Sequence, residues 1–330
     1  MQPPPVTLHY LQDWGKHTHG SPLYAELVEV IGGDAELLRV INRIEHRPPP
    51  NLLFAAVQYL LMDQPDADLA AYYPSLRGDA LPPDGVGSVF REFVLDHEEE
   101  IVALGNSRYT QTNEARRCVA LLPLVMMAAF HRFHLVDIGT SAGLNLGLDL
   151  YRDRFDDRGW GPPSPVVLHT ESRGAEVPLH EIEVLSRTGL DLNPIDPGDS
   201  DGRRWLDALI WPEHHERRDR LRRALGVVSD IPIEMVAGDA LRTLPRVLAS
   251  LPAEEPAVVM NSFAMAQLDP EGRAHIEEIA DRAREQRPVF RAIMELFDAS
   301  DDWARLVVDD GSGLKTVGQA HPHGEWIELF

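Results

Sequence analysis

One cysteine, Cys118, stands in the 330 residues, so the chain can make no intramolecular disulfide and holds no Cys-x-x-Cys pair for zinc or redox work. It also lacks an apolar run long enough to cross a bilayer. The longest nearly apolar stretch, Val119 to Phe130, has 12 residues and reads as a core helix. Positive charge is scarce: 31 basic against 53 acidic residues leave −22 with the histidines neutral. A surface that acidic repels phosphate backbones and anionic lipid alike. No nucleic acid and no membrane is therefore expected as a partner; the expected partner is a small-molecule substrate. The N-terminus, Met-Gln-Pro-Pro-Pro, has no basic segment followed by an apolar run, so no signal peptide is expected and the protein is placed in the cytoplasm. Repeats and low-complexity tracts are absent as well. What remains, 44% hydrophobic and 25% charged residues, is the composition of an ordinary globular protein of about two domains.

Residues 1–131 read as a helical domain. Ser21-Pro22 supplies an N-cap followed by proline at the first helical position, and Leu23, Leu27, Val30 and Ile31 recur at helical spacing. Asp34 and Asn51 can cap two further helices, a fourth runs from Val86 to Leu104, and a fifth from Thr112 to His131. From residue 132 the pattern changes. Short apolar runs alternate with helical ones, as in a parallel sheet with crossover helices. The expected strands are His134–Ile138, Val166–His169, Ile233–Val236, Ala257–Met260, Val289–Leu296, Leu314–Gly318 and Glu325–Leu329. Helices are expected near Leu144–Phe155, Arg203–Leu225, Leu241–Leu251, Pro270–Arg287 and Ser300–Val307. The last two strands have no room for a helix between them and should form an antiparallel hairpin. Glu171 to Gly202 is turn-rich and reads as an insertion.

The most informative segment is Leu135-Val-Asp-Ile-Gly-Thr-Ser-Ala-Gly-Leu-Asn-Leu146. An apolar strand runs into a turn of small residues and then into a helix. Gly139 and Gly143 permit unusual dihedrals and close backbone approach to a ligand. Amides at the following helix start can receive a carboxylate, and Asp137 can accept from an ammonium. Two enzyme classes compete for this segment. Gly139-Thr-Ser141-Ala-Gly143 matches the Gly-x-Ser-x-Gly nucleophile elbow, with Asp298 and His323 following in hydrolase order. A hydrolase elbow, however, comes after several strands, whereas here a helical domain precedes the turn and the other strands follow it. A glycine turn after the first strand is the nucleotide-binding arrangement, as in Rossmann-like methyltransferases. A tight strand–helix turn with no ligand is the third possibility.

The later strands resemble the methyltransferase pattern of seven strands closed by a terminal antiparallel hairpin. Asp239, in Ala237-Gly-Asp-Ala240, looks like that family's acid beside the adenine, although an N-cap would use the same residue. Asn261-Ser262-Phe263 follows the fourth strand, where such enzymes place polar residues facing the methyl group. The ribose acid is either Glu171, next in order after the expected second strand, or Asp191 in Gly189-Leu-Asp-Leu-Asn-Pro194. Glu171 is favoured.

A closer resemblance covers nearly the whole chain. Ser21-Pro-Leu-Tyr24, Gln111-Thr-Asn-Glu114 with Arg116, Asp137 to Asn145, Glu171-Ser-Arg-Gly174, Gly189 to Pro194, Trp211-Pro212 and His323-Gly-Glu-Trp326 resemble a bacterial family of unknown function related to S-adenosylmethionine-dependent methyltransferases. The resemblance implies a Rossmann-like seven-stranded α/β domain over 132–330. It implies S-adenosylmethionine as cofactor at Asp137, Gly139, Ser141, Gly143, Asn145, Glu171 or Asp191, and Asp239. It supplies no methyl acceptor.

Around that turn, Gln111, Asn113, Glu114 and Arg116 form a polar cluster just before the first strand, readable either as a lid over the site or as a capped helix start. His323, on the opposite rim, is the side-chain type that titrates near neutral pH. Together with Glu114, Arg116 and Asn261 it makes up the candidate catalytic set, and Tyr151 and Ser262 are added to the substrate side. The histidine pairs His17/His19, His131/His134, His214/His215 and His321/His323 lack a third ligand at recognisable spacing. Trp205 and Trp211 read as packing residues. Arg217, Arg218, Arg220, Arg222 and Arg223, interleaved with acids, read as a salt-bridged solvent face.

Overall fold

A computed structural model describes residues 5–16, 20–297 and 301–330. The first four residues, His17, His19, the expected hydrolase acid Asp298 and the start of the helix expected at Ser300 lie outside the described residues. The chain folds as two compact units: residues 1–112 with 200–219, and residues 113–199 with 220–330. Residues 113–131 thus belong with the sheet-bearing unit.

The first unit is helical: α1 (Leu8–Gly15), α2 (Pro22–Gly33), α3 (Ala35–Ile41), α4 (Pro49–Leu61), α5 (Val86–Asp96), α6 (Glu98–Ser107) and, from far along the chain, α8 (Ser200–Ala208). Local chemistry starts these helices. The Ser21 hydroxyl accepts from Tyr24 N at 3.1 Å, and Asp34 Oδ1 accepts from Glu36 N and Leu37 N. The core gathers Leu27, Ile31, Leu52, Phe54, Phe90 and Trp205, with Tyr24 stacked 4.3 Å from Phe54. Val86–Leu104 is two helices rather than one, because His97 leaves helical geometry at φ −111°, ψ 21°.

The second unit carries an eleven-stranded mixed sheet among the described residues, where seven strands were expected. Its strands are β1 (Arg132–Ile138), β2 (Arg152–Phe155), β3 (Arg158–Trp160), β4 (Val167–Gly174), β5 (Glu183–Asp191), β6 (Glu234–Ala237), β7 (Ala257–Ser262), β8 (Val289–Glu295), β9 (Ala304–Asp309), β10 (Lys315–Ala320) and β11 (Trp326–Leu329). The spatial order is β3-β2-β4-β11-β10-β9-β8-β7-β1-β5-β6. β6, β5, β1, β7 and β8 are parallel neighbours. Among these five, the chain moves outward from β1 through β5 to β6, then returns to the other side of β1 for β7 and β8. β9, β10 and β11 continue as an antiparallel meander. The expected C-terminal hairpin is β10–β11, with Gly318 opposite Leu329.

Three further expectations change. Val166–His169 falls largely in β4, far along the sheet, and the strand beside β1 is β5, inside the segment read as an insertion. Residues 144–155 hold only a 3-10 turn, Leu144–Gly147, followed by β2. Residues 304–309 form β9 rather than a helix, with Ala304, Leu306 and Val308 on its buried positions.

α7 (Cys118–Met126) is buried at every one of its nine residues and packs against β4, β7, β8 and β9. Hydrophobic all round, it is enclosed rather than amphipathic. The opposite face of the central strands packs Val136, Ile138 and Val259 against α10 (Ala240–Ser250) and α11 (Pro270–Arg284). α9 (His215–Ser229) is shared between the two residue ranges.

Candidate functional site

The turn after β1 is fixed by strained backbone and by neighbours. Gly139 and Gly143 sit at φ +76° and +75°, and Ser141 reaches φ +50° without being glycine. A Cβ on Gly139 would stand 2.6 Å from that of Ala264, so the turn packs directly on the segment after β7. The turn's amides are turned inward. Gly139 N and Thr140 N donate to Leu190 O, Gly143 N to Thr140 O, Ser141 N to Asp191 Oδ2 at 2.8 Å, and Ala142 N to Asn113 Oδ1 at 3.3 Å. The amides of the turn itself are thus engaged within the protein, and the helix whose start was expected to offer amides to a carboxylate is only the 3-10 turn Leu144–Gly147.

Asp137, at the end of β1, is the exception to this saturation. It is fully buried, and neither carboxylate oxygen has a hydrogen-bond partner; the adjacent Thr140 hydroxyl is unpartnered too. Burial pushes the Asp137 carboxyl up to about 7. Thr140 and Asn145 oppose the shift without completing a bond to it, Asp191 adds to it, and the Arg117 guanidinium opposes it.

Several expected residues converge here. Asn113 Nδ2 donates to Ser141 Oγ at 2.8 Å, and Asn145 Nδ2 to Ser262 Oγ at 3.3 Å. Asp191, at the end of β5, uses Oδ2 for Ser141 N and Oδ1 for Asn193 N. Glu114 is buried, accepting from Arg116 N at 3.0 Å and pairing with Arg220 Nε at 2.8 Å. Arg116 Nε donates to the His323 carbonyl at 2.9 Å, so these two are direct neighbours and do not face each other across the site. Gly324, at φ +73°, makes that approach possible, since a Cβ there would lie 2.3 Å from Arg116 O.

Others stand apart. Glu171 lies exposed on β4, paired with Arg173, and five strands separate β4 from β1. Tyr151 is buried, its hydroxyl donating to Leu144 O at 2.7 Å. Asp239 caps α10 through Leu241 N at 2.9 Å. Asn261 Nδ2 lies 3.4 Å from Glu295 Oε2. Gln111 is half-buried in the first unit.

The sequence reading missed four participants. Arg117 donates to Pro322 O at 3.1 Å, reaches Ser262 Oγ at 3.5 Å and lies 4.2 Å over the Phe263 ring. Phe263 itself adopts φ +54°. Glu295, 1% exposed, has its carboxyl raised chiefly by burial. Arg220, assigned to a solvent face, is the partner of buried Glu114, because the acid before α7 needs a counter-charge. Arg218, assigned to the same face, is 3% exposed and bonds Asp207 and Gln58 within the first unit.

Fold and geometry define a mixed α/β protein whose polar cluster gathers at the carboxyl ends of β1, β5 and β7. The chain belongs to DUF2332, the family described as an uncharacterized protein conserved in bacteria, whose model matches residues 9–329. No curated protein and no solved structure matches the chain. Among the described residues, no helix is long and apolar enough to cross a membrane.

Proposed function

We propose that the protein binds S-adenosylmethionine at the glycine turn and transfers its methyl group to a small-molecule acceptor. The observation that carries this reading is Asp137: a buried carboxylate with both oxygens unpartnered, where the chain reverses direction between β1 and β7. Open α/β sheets bind ligands outside the carboxyl ends of their strands at that reversal, and the order β6-β5-β1-β7-β8 is the inner part of the doubly wound arrangement. An unpartnered carboxylate with a guanidinium, Arg117, in its field suits an amino-acid group, the ammonium meeting Asp137 and the carboxylate meeting Arg117. Asp191, each oxygen holding one amide, keeps lone pairs for ribose hydroxyls; it stands beside the turn, and Glu171 does not. Asp239 is assigned to the adenine end.

When bound, the cofactor supplies an electrophilic methyl group on a sulfonium. The protein's own contribution is placement. Asn113 and Asn145 tie the turn to the segment before α7 and to β7, and the 321–324 turn is held by Arg116 and Arg117. His323, with Glu114, Arg116 and Asn261, is assigned to orienting the acceptor and taking its proton.

Calorimetric titration with S-adenosylmethionine and S-adenosylhomocysteine tests the reading. Binding by the wild type, abolished in Asp137→Ala with unchanged circular dichroism, is expected. No heat at millimolar ligand would point to an interaction module instead, and binding without turnover to a non-catalytic nucleotide-binding one. The serine-hydrolase reading draws support from the φ of Ser141, the backbone setting of a nucleophile elbow. Against it, Ser141 Oγ is held by the Asn113 amide, which carries no basic nitrogen. Ser141→Ala should barely change ligand binding, and a fluorophosphonate should leave Ser141 unlabelled.

A further inference from the structure

At the amino end of the same sheet, His134 is held by two side chains that the glycine turn does not use. Its Nε2 lies 2.7 Å from Glu255 Oε2, and its Nδ1 lies 2.7 Å from Ser186 Oγ. An ionised carboxylate only accepts, so Nε2 carries a proton; in the neutral ring Nδ1 is then the acceptor, and the Ser186 hydroxyl donates to it. A hydroxyl, a base and an acid that orients the base stand in a row, the arrangement that activates a serine.

Local structure supports a built site. The β1–β5 register slips between Phe133 and His134, so that Ser186 rather than Leu185 is paired with His134. Such bulges re-aim side chains. His134 is 6% exposed, whereas Ser186 is half-buried and the Glu255 side chain 41% exposed, so the base is shielded and the hydroxyl reachable. β6 pairs with β5 only from Thr188 onward, which leaves the outer edge of Ser186 without a ladder partner from β6. His134 N donates to Pro256 O at 2.9 Å, anchoring the loop that carries Glu255.

We propose that Ser186, His134 and Glu255 form a hydrolytic site for small acyl esters, separate from the glycine turn. Five residues at about 3.3 Å each put the two sites about 17 Å apart along β1. Ser186 Oγ bonds to the ester carbonyl carbon as its proton passes to His134 Nδ1. The bond to the alkoxy oxygen then breaks, and the alcohol leaves with that proton. Water attacks the acyl-serine in the same way, releasing the acid and returning the proton to Ser186. Glu255 keeps Nε2–H in place and balances the imidazolium. Esters are the class named because an alkoxide leaves with less protonation than an amine does.

The test is fluorophosphonate labelling of the full chain, with the modified peptide identified by mass spectrometry. Label at Ser186 is expected, absent in Ser186→Ala and His134→Gln and slowed about tenfold or more in Glu255→Gln. p-Nitrophenyl acetate hydrolysis should fall in parallel. A purely structural histidine would alter melting without altering labelling. A folded wild type unlabelled at Ser186, label at Ser141 alone, or either His134→Gln or Glu255→Gln labelled at the wild-type rate would overturn the proposal.

Discussion

Replacing Asp137 with asparagine should make the protein more stable, and increasingly so as the pH rises. Asparagine keeps the shape and removes the ionisation. In the wild type the native carboxyl, pushed up to about 7 by burial, holds a proton that the unfolded chain has already released above its ordinary value of 3.8. The native state therefore binds more protons over that interval, and stability falls as pH rises until the native group ionises. Each pH unit costs about 1.4 kcal/mol, so from about pH 5 to 7 the wild type loses about 3 kcal/mol that Asp137→Asn keeps. Asp153, also buried without partners and pushed up to about 8, shifts both proteins equally and cancels in the difference. Urea unfolding of both proteins at about pH 5 and pH 8 measures the effect. An advantage of Asp137→Asn that is the same at both pH values would show that the native carboxyl is already ionised at about pH 5, refuting the reasoning.

Two further substitutions, with a third as control, probe the segment that frames the site. Glu114→Gln should cost about 3 kcal/mol in urea unfolding, because it leaves the Arg220 guanidinium, 16% exposed, without its buried counter-charge. Gly324→Ala should lower stability by more than ~1 kcal/mol, since φ +73° is strained for alanine and the new Cβ meets Arg116 O. Gly313→Ala, at φ +100° with nothing within 4 Å, carries the backbone strain alone, and its thermal shift should be the smaller of the two.

Strands buried on both faces were legible as such, and the less buried β6, β10 and β11 were also expected. β1, β7 and β8 read as continuous apolar runs because the sheet is covered by α7 on one side and by α10 and α11 on the other. β5, Glu-Val-Leu-Ser-Arg-Thr-Gly-Leu-Asp, was hidden by its polar first half, which is only half-buried. Its neighbourhood to β1 is a tertiary fact, and choosing between Glu171 and Asp191 depended on it. The helix expected at 203–225 is two, ended and restarted around Trp211-Pro212, since proline cannot continue a helix. At the site, the Asp137 to Gly143 turn was legible because a strand running into closely spaced glycines is a local pattern, whereas the helix expected after it is only the 3-10 turn Leu144–Gly147. Arg117 and Arg220 were not, because whether an arginine faces solvent or a buried acid depends on residues far along the chain.

The measurement that bears most directly on the central claim is a crystal structure of the protein grown with S-adenosylhomocysteine. Density for the ligand at the carboxyl ends of β1, β5 and β7, with its ammonium on Asp137 and its ribose on Asp191, is the predicted result. A well-ordered crystal with Asp137 still unpartnered and no ligand density beside Gly139–Gly143 would contradict it.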